Sequence, residues 1–269
     1  MIPKPVHLEP QYGAQFKDAS VVAAYHHRPP YPEAVFPLLV DLIADGPRIV
    51  LDVGCGTGDI ARRLAPLVER LDALDFSAPM IEKGKALPGG DHPALYWIEG
   101  AAEDTPLSPP YGLIVAGESL HWMDWEVVFP RLRTMLGPGA ILAIIGRGTL
   151  AAPWDELVQS LINRYSTNRD FKPYDFLEEL TKRRLFTLDG ACSTLPEVIE
   201  QPVESFIESF HSRNGFSRDR MTVRNAKAFD SRLSEAVRPW VVDGCVPLRH
   251  NARLMWGLPE MRQSGATAG

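Results

Sequence analysis

The stretch RIVLDVGCGTGDIARRL, residues 48–64, runs from a branched apolar segment through three closely spaced glycines into a helical pattern. The short apolar run reads as a strand, and DIARRLAPLVE (59–69) reads as a helix that Pro66 closes. Glycines 54, 56 and 58 stand where the strand meets the helix. Without side chains there, the backbone can turn tightly and come close to a ligand. A tight connection with no ligand is the plainer reading of the same turn.

Working outward, RLDALDF (70–76) is strand-like again and completes a βαβ unit. The alternation continues with a helix opened by Ser77, strands at ALYWIE (94–99) and GLIVAG (112–117), a helix from about Asp124 to Met135, and a strand at AILAIIG (140–146). This rhythm predicts a parallel sheet covered on both faces. After Thr149 the texture changes to charged helical segments, WDELVQSLINRY, DFLEELTKRR and PVESFIESFHSR, so 151–230 reads as a helical elaboration. The segment WVVDGCVPLRHNARLMWG (240–257) has strand composition around Asp243-Gly244 and is expected to form a hairpin returning to the sheet edge. The last residues, SGATAG, are expected to be disordered.

Composition narrows the function classes. A chain of 269 residues with 45% hydrophobic and 23% charged content can bury a substantial core, which suits one domain over 1–269. No apolar run approaches the ~20 residues of a membrane-spanning helix. The opening MIPKPVHLEPQYG lacks a signal peptide's basic start and apolar centre, so a cytoplasmic location is expected. Cys55, Cys192 and Cys245 are odd in number, far apart and without zinc-ligand spacing, as expected of reduced thiols. A net charge of −6 disfavours nucleic acid and points to a small-molecule partner.

The glycine spacing is G-x-G-x-G preceded by Asp52, whereas the dinucleotide signature, G-x-G-x-x-G, places its third glycine one residue further on. A nicotinamide-dependent oxidoreductase is therefore disfavoured. The loop resembles motif I of class I S-adenosylmethionine-dependent methyltransferases. Three further stretches resemble the trans-aconitate methyltransferase-like group among them: YGLIVAGESLHWMD (111–124) its fourth strand and following loop, LGPGAILAI (136–144) its next turn and strand, and YHHRPPYP (25–32) its entry segment. GCVPLRHNARLMWG (244–257) is similar to that group's last strands. The resemblance implies a Rossmann-like, doubly wound α/β fold with a seven-stranded, mostly parallel sheet. Residues 16–150 would be the cofactor-binding core with an N-terminal lid, 151–230 the roof of the substrate pocket, and 231–259 the final helix and edge strands.

S-adenosylmethionine, with S-adenosylhomocysteine as product, is the cofactor that this resemblance implies. Asp52, Gly54, Cys55 and Gly56 would cradle it, and Gly117 and Glu118 would lie beside it. Asp75 ends a strand where an acidic side chain can accept both ribose hydroxyls, and capping the next helix is compatible with that role. Its replacement is expected to weaken cofactor binding and leave the fold intact. Phe76 and Met80 would face adenine. Arg28 would meet the cofactor carboxylate, with Tyr25 or Tyr31 as a lid. In IEGAAEDTPL (98–107) Ala101 stands where these families carry an Asp for the adenine amine. That leaves the Ala102 backbone N–H for a ring nitrogen and Glu103 or Asp104 as substitutes. Gly112 is a second departure from an Asp, at a position expected to be structural.

His121 and Trp122 are the catalytic candidates, in the loop that the resemblance puts beside the methyl group. An ordinary satisfied histidine is the plainer reading of His121. If the acceptor is a carboxylate, no base is needed and His121 orients it; for a phenol or amine, His121 is the nearest proton acceptor. Glu118 and His121 stand three apart but lack a third ligand, so metal is set aside. His26 and His27 are expected to decorate a helix end, and Cys55 has no base at readable spacing. Arg213, Arg218, Arg220, Arg224 and Lys227 form either a solvated helix face or an anchor for an acceptor's carboxylate or phosphate. The stretch FHSRNGF (210–216) is expected to line the pocket with Trp122. A chain that holds S-adenosylmethionine without transferring its methyl group also stays open.

Overall fold

The computed structural model describes residues 3–43 and 47–261; the SGATAG tail lies outside them. Among the described residues eight strands form one sheet: β1 (Ile49–Val53), β2 (Arg70–Asp75), β3 (Leu95–Glu99), β4 (Tyr111–Gly117), β5 (Leu136–Thr149), β6 (Phe186–Ser193), β7 (Glu197–Pro202) and β8 (Cys245–Pro259). Seven follow one another in the order β3-β2-β1-β4-β5-β8-β6, and β7 pairs with β8 off that path. The helices are α1 (Pro10–Gly13), α2 (Ala19–Ala24), α3 (Val35–Asp41), α4 (Ala61–Leu64), α5 (Ala78–Lys85), α6 (Trp125–Met135), α7 (Asp155–Tyr165), α8 (Phe176–Lys182), α9 (Val203–His211) and α10 (Val223–Val237). This is the expected doubly wound α/β architecture.

Strands β1 to β5 run parallel. In β1 and β4 alternate residues belong to different cores. Leu51, Val53, Ile114 and Ala116 pack with Trp125, Phe129 and Leu132 of α6 on one face, while Val50, Leu113 and Val115 pack with Phe36 and Leu39 of α3 and Leu64 of α4 on the other. Burial on both faces is why these strands read as unbroken apolar runs. A third core joins Trp154 before α7, Val158 of α7, Phe206 and Phe210 of α9, and Phe229 and Leu233 of α10 to Val246 and Leu248 of β8. Gly112 has its physical reason here, because a Cβ would sit 2.1 Å from the Pro47 carbonyl oxygen.

Two expectations change. The stretch 151–230 is helical at α7, α8, α9 and the start of α10, but it also contains β6 and β7. These are outer strands with mostly exposed side chains, so they lack an apolar signature. The turn at Asp243-Gly244 has positive φ at both residues, 47° and 78°, as a tight hairpin requires. Its arms meet only at the Val242–Cys245 bridge, and β8 then inserts antiparallel between β5 and β6 instead of forming the edge.

The order of β1 and β4 reverses the winding of the sheet between them, and the crevice above their carboxyl ends is where such sheets bind ligands. Gly54, Asp75, Gly100 and Glu118 all follow or end strands at this side. The N-terminal residues 3–17 lie across it as a strap, held by the 168–220 region. Asn214 Nδ2 donates to the Tyr12 carbonyl at 2.8 Å, and the Arg220 guanidinium pairs with Asp18 at 2.6 Å.

Candidate cofactor and acceptor site

Glycine and aspartate build the floor of the crevice together. Gly54, Gly56 and Gly58 adopt φ of 71°, 57° and 76°, a region that favours glycine. The Gly54 and Cys55 N–H groups both donate to the Leu74 carbonyl, at 2.8 and 2.9 Å. The Gly56 N–H donates to Asp75 Oδ2 at 2.7 Å and the Ser77 N–H to Asp75 Oδ1 at 2.8 Å. Asp75 therefore ties the loop to the end of β2 and also lines the cavity. Burial raises its pKa to about 6, against the two backbone N–H groups and Lys17, which favour the charged form.

The cavity has a volume of about 560 Å³. Of the expected cofactor residues, Tyr25, Arg28, Gly54, Gly56, Asp75, Phe76, Met80, Ala102, Glu103, Gly117 and Glu118 line it, and so does the catalytic candidate Trp122. Asp52 and Cys55 do not. Asp52 lies beneath the loop, 1% exposed, with one carboxylate oxygen unpartnered among the described residues; burial, then the nearby Asp75, push its pKa up to about 8. The Cys55 side chain packs into the core with Val115 and Ile60, and burial pushes its thiol pKa up. Both residues support the loop from below and touch no ligand space. Asp104 is also absent from the wall, while Ala101 is part of it.

Tyr25, not Tyr31, lines the cavity: Tyr31 is buried beneath the Arg147 guanidinium, 3.9 Å from its ring centroid. Arg28 stacks over Tyr25 at 4.3 Å and donates to Ser212 Oγ and its carbonyl at 2.9 and 2.6 Å. Its Nη1 comes within 4.0 Å of Glu118. Glu118 has φ 55° and is held by Arg147 at 2.6 Å, which also binds Asp59 at 2.7 Å. Burial alone would raise the Glu118 pKa, but Arg147 and Arg28 outweigh it and hold it below the ordinary carboxylate range. Glu118 is thus committed to arginines. Among the described residues no group of three His, Cys, Asp or Glu side chains could hold a metal ion.

His121 does not line the cavity. Its ring packs against Trp122 at 4.6 Å and Phe176 at 6.4 Å, behind the wall that Trp122 presents. Burial lowers its pKa to about 4, with Glu118 opposing and Lys4 and Arg28 adding to the shift. It is neutral at pH 7. The 210–216 stretch also stays out of the cavity: Phe210 and Phe216 belong to the third core, and His211 is fixed by the Phe216 carbonyl at 2.8 Å and Asp230 at 2.6 Å. Its place is behind the strap, which Asn214 and Gly215 hold.

The arginine cluster separates into pairs. Arg218 binds Glu208 and Asp230, and Arg220 binds Asp18. Arg213 lies over the Phe210 ring at 4.2 Å, near enough to Arg28 and Glu118 to feel their charges. Twelve wall residues escaped the sequence reading, among them Lys4, Phe16 and Lys17 of the strap and Ser119, Met123 and Asp124 after β4. Ser119 Oγ donates to the Val53 carbonyl at 2.6 Å, which locks the β4 loop to the end of β1. Only the HWMD stretch pointed to any of them.

Residues 50–139, from β1 into the start of β5, match the family model described as a methyltransferase domain. The chain carries a class I S-adenosylmethionine-dependent methyltransferase domain. It is 29% identical over 177 residues to malonyl-[acyl-carrier protein] O-methyltransferase of Halalkalibacterium halodurans, covering 62% of this chain and 64% of that protein. It is 32% identical over 128 residues to trans-aconitate 2-methyltransferase of Methylobacterium radiotolerans, covering 46% of this chain and 47% of that protein. The alignments thus span less than two thirds of either relative. A solved protein from Anaeromyxobacter dehalogenans, provisionally described as a type II methyltransferase, superposes with a TM-score of 0.61 at 28% identity, covering 87% of this chain and 99% of that one.

The site of this methyltransferase domain suits the cofactor. Gly54 and Gly56 form a cradle that side chains would fill: a Cβ on Gly54 would lie 2.4 Å from Ser119 Cβ, and one on Gly56 would lie 3.2 Å from Tyr25 Oη. Asp75 offers hydroxyl acceptors, Arg28 a cation, and Phe76, Met80 and Met123 apolar surface. No helix among the described residues is long and apolar enough to cross a membrane.

Proposed function

We propose that this chain transfers a methyl group from S-adenosylmethionine to an oxygen of a small-molecule carboxylate. The observation that carries the reading is the cavity at the β1/β4 switch point, where Asp75, the glycine cradle and Arg28 line one space. When bound, the cofactor supplies an already activated sulfonium methyl group. Gly54 and Gly56 let the backbone approach it, Asp75 accepts the ribose hydroxyls, and Arg28 meets its carboxylate. Trp122, packed on Phe16 of the strap at 5.5 Å, closes the wall and excludes water.

A carboxylate acceptor is ionised at neutral pH, so the protein's task is positioning. His121, neutral, weakly basic and packed behind Trp122, suits positioning through that ring better than proton abstraction. The arginine cluster does not supply the counter-charge: Arg213 belongs to the 210–216 stretch outside the cavity, and Arg218 and Arg220 are paired elsewhere. The names of two relatives, a malonyl-[acyl-carrier protein] O-methyltransferase and a trans-aconitate 2-methyltransferase, support an acid as acceptor.

Calorimetry with S-adenosylhomocysteine and with NADH tests the cofactor: heat with the first and none with the second is expected. Turnover on a panel of small carboxylic acids, read as S-adenosylhomocysteine formed, tests the reaction. Binding without turnover on any acceptor class would favour a chain that holds the cofactor without transferring from it. His121→Asn is expected to raise the acceptor's KM severalfold with kcat nearly unchanged from pH 6 to 9. A kcat loss beyond about a hundredfold that added base rescues would instead make His121 the proton acceptor.

A further inference from the structure

The turn after α9 lines no part of the cavity, yet it fastens two parts of the wall. Arg28 Nε and Nη2 donate to the Ser212 Oγ and carbonyl oxygen, at 2.9 and 2.6 Å. Two residues on, Asn214 Nδ2 donates to the Tyr12 carbonyl at 2.8 Å, and the Gly215 N–H donates to Gln15 Oε1 at 3.1 Å. Arg28 and the strap therefore share one anchor, the 212–216 turn. His211, the last residue of α9 and 0% exposed, secures that anchor in turn.

Both ring nitrogens of His211 face acceptors. Nδ1 lies 2.8 Å from the Phe216 carbonyl oxygen and Nε2 lies 2.6 Å from Asp230 Oδ1. A neutral imidazole has one N–H, so it satisfies one of these contacts and turns a lone pair on the other; only the imidazolium donates to both. The proton does not belong to Asp230, whose Oδ2 accepts from Arg218 at 3.1 Å. Burial would raise the Asp230 pKa, but His211 and Arg218 outweigh it and hold it below the ordinary carboxylate range. The carbonyl end of α9 favours a cation at the same place. Of the other charges around the ring, Glu208 on α9 favours the cation and Arg218, bound to Glu208 and Asp230, opposes it. His27 approaches the same Glu208 and Arg218 from the N-terminal segment.

We propose that His211 is a positioning residue which, as an imidazolium, clamps the 212–216 turn and through it holds Arg28 and the strap at the cavity wall. When the ring loses one proton, Asp230 keeps the remaining N–H on Nε2, and Nδ1 turns its lone pair on the Phe216 carbonyl. The turn is pushed away, and Arg28 and the strap loosen with it.

Since a ligand readout rests on the cofactor reading above, one arm of the test uses no ligand. In the nitrogen NMR spectrum of the full, histidine-labelled chain, both ring nitrogens of His211 are expected to carry protons at pH 7, where an exposed imidazole is mostly neutral. Calorimetry with S-adenosylhomocysteine from pH 6.5 to 9 is the second arm. Affinity of the unaltered chain is expected to fall about tenfold as that proton is lost, the size of one hydrogen bond to a charged group. Lys4, whose pKa burial lowers to about 8, titrates in the same range, but it is kept in the variants, so the difference between profiles belongs to the His211 clamp. His211→Gln is expected to bind about tenfold more weakly at pH 7 and to lose that part of the slope. Asp230→Asn lets a neutral ring donate to Phe216 from Nδ1 and accept the new amide at Nε2, so it is expected to lose the same part of the slope.

A single protonated nitrogen on His211 at pH 7 overturns the inference, with no variant needed. So does a folded His211→Gln chain that keeps the whole slope. Failure of the unaltered chain to bind S-adenosylhomocysteine at any pH overturns the cofactor reading, and the spectrum still decides the protonation of His211.

Discussion

Gly56→Val is expected to weaken S-adenosylhomocysteine binding by more than about a hundredfold, because backbone strain and steric exclusion act at the same residue. Gly56 has φ 57°, where a β-branched residue costs about 1–3 kcal/mol. Its Cβ would press on the Tyr25 ring at 3.2 Å from Oη and 3.3 Å from Cε1, so that ring has to move. Its N–H also donates to Asp75, so a shift of the loop disturbs the proposed ribose acceptor. Gly139→Val isolates the strain, since Gly139 has φ 72° with nothing within 4 Å of its added Cβ and lies outside the cavity wall. That variant is expected to lose stability and bind normally. Calorimetry and thermal melting of both variants check the pair. A folded Gly56→Val protein with ordinary affinity would remove the loop from the cofactor site.

The parts of the fold that were legible are those whose burial is two-sided. Strands β1 and β4 sit between two helical layers, and their side chains are apolar on both faces. The charged helices after Thr149 were legible by composition. Strands β6 and β7 were not. Thr187, Leu188 and Asp189 of β6 are all exposed, and the register shifts between Leu188 and Gly190, so neither alternation nor an apolar run marks the strand. The place of β8 was equally hidden. Its composition announced a strand, but its position between β5 and β6 depends on β6 pairing along its outer flank, and nothing local to 245–259 encodes that.

The site divides along the same line. Gly54, Gly56 and Asp75 lie within one βαβ unit, where their relative placement follows from strand, turn and strand, and they were legible for that reason. Asp52 and Cys55 belong to the same motif but alternate inward, which a motif read as a string does not show. Lys4 and Lys17 arrive from the strap, whose Pro-rich sequence has no period to place it. Arg147 stands on β5, and only the assembled sheet brings it against Glu118 and Asp59. His121 was misplaced by one residue of wall: Trp122 faces the cavity, and the histidine lies behind it.

Asp75→Ala is expected to damage binding and fold together, contrary to the expectation that a ligand contact can be removed without cost to the fold. Each ribose hydroxyl that loses a charged acceptor costs about 1.5–3 kcal/mol, so affinity should fall by at least tenfold. The Gly56 and Ser77 N–H groups also lose their acceptors in a buried place, which should lower the melting temperature of the ligand-free chain. The pH dependence distinguishes the two losses. Burial raises the Asp75 pKa from the ordinary 3.8 to about 6 in the fold. The folded chain therefore holds this proton more tightly than the unfolded one, and the group's stabilising contribution is present below 3.8 and fades as pH rises to about 6. Binding runs the other way, because the ribose hydroxyls need the ionised acceptor. Affinity should fall about tenfold for each unit below pH 6, while the fold itself gains stability from this group. Calorimetry and melting of the unaltered chain between pH 4.5 and 7.5 check the opposed slopes. In Asp75→Ala both slopes lose this group's contribution. Binding that is flat across that range in the unaltered chain would mean that Asp75 ties the loop and does not hold the ribose.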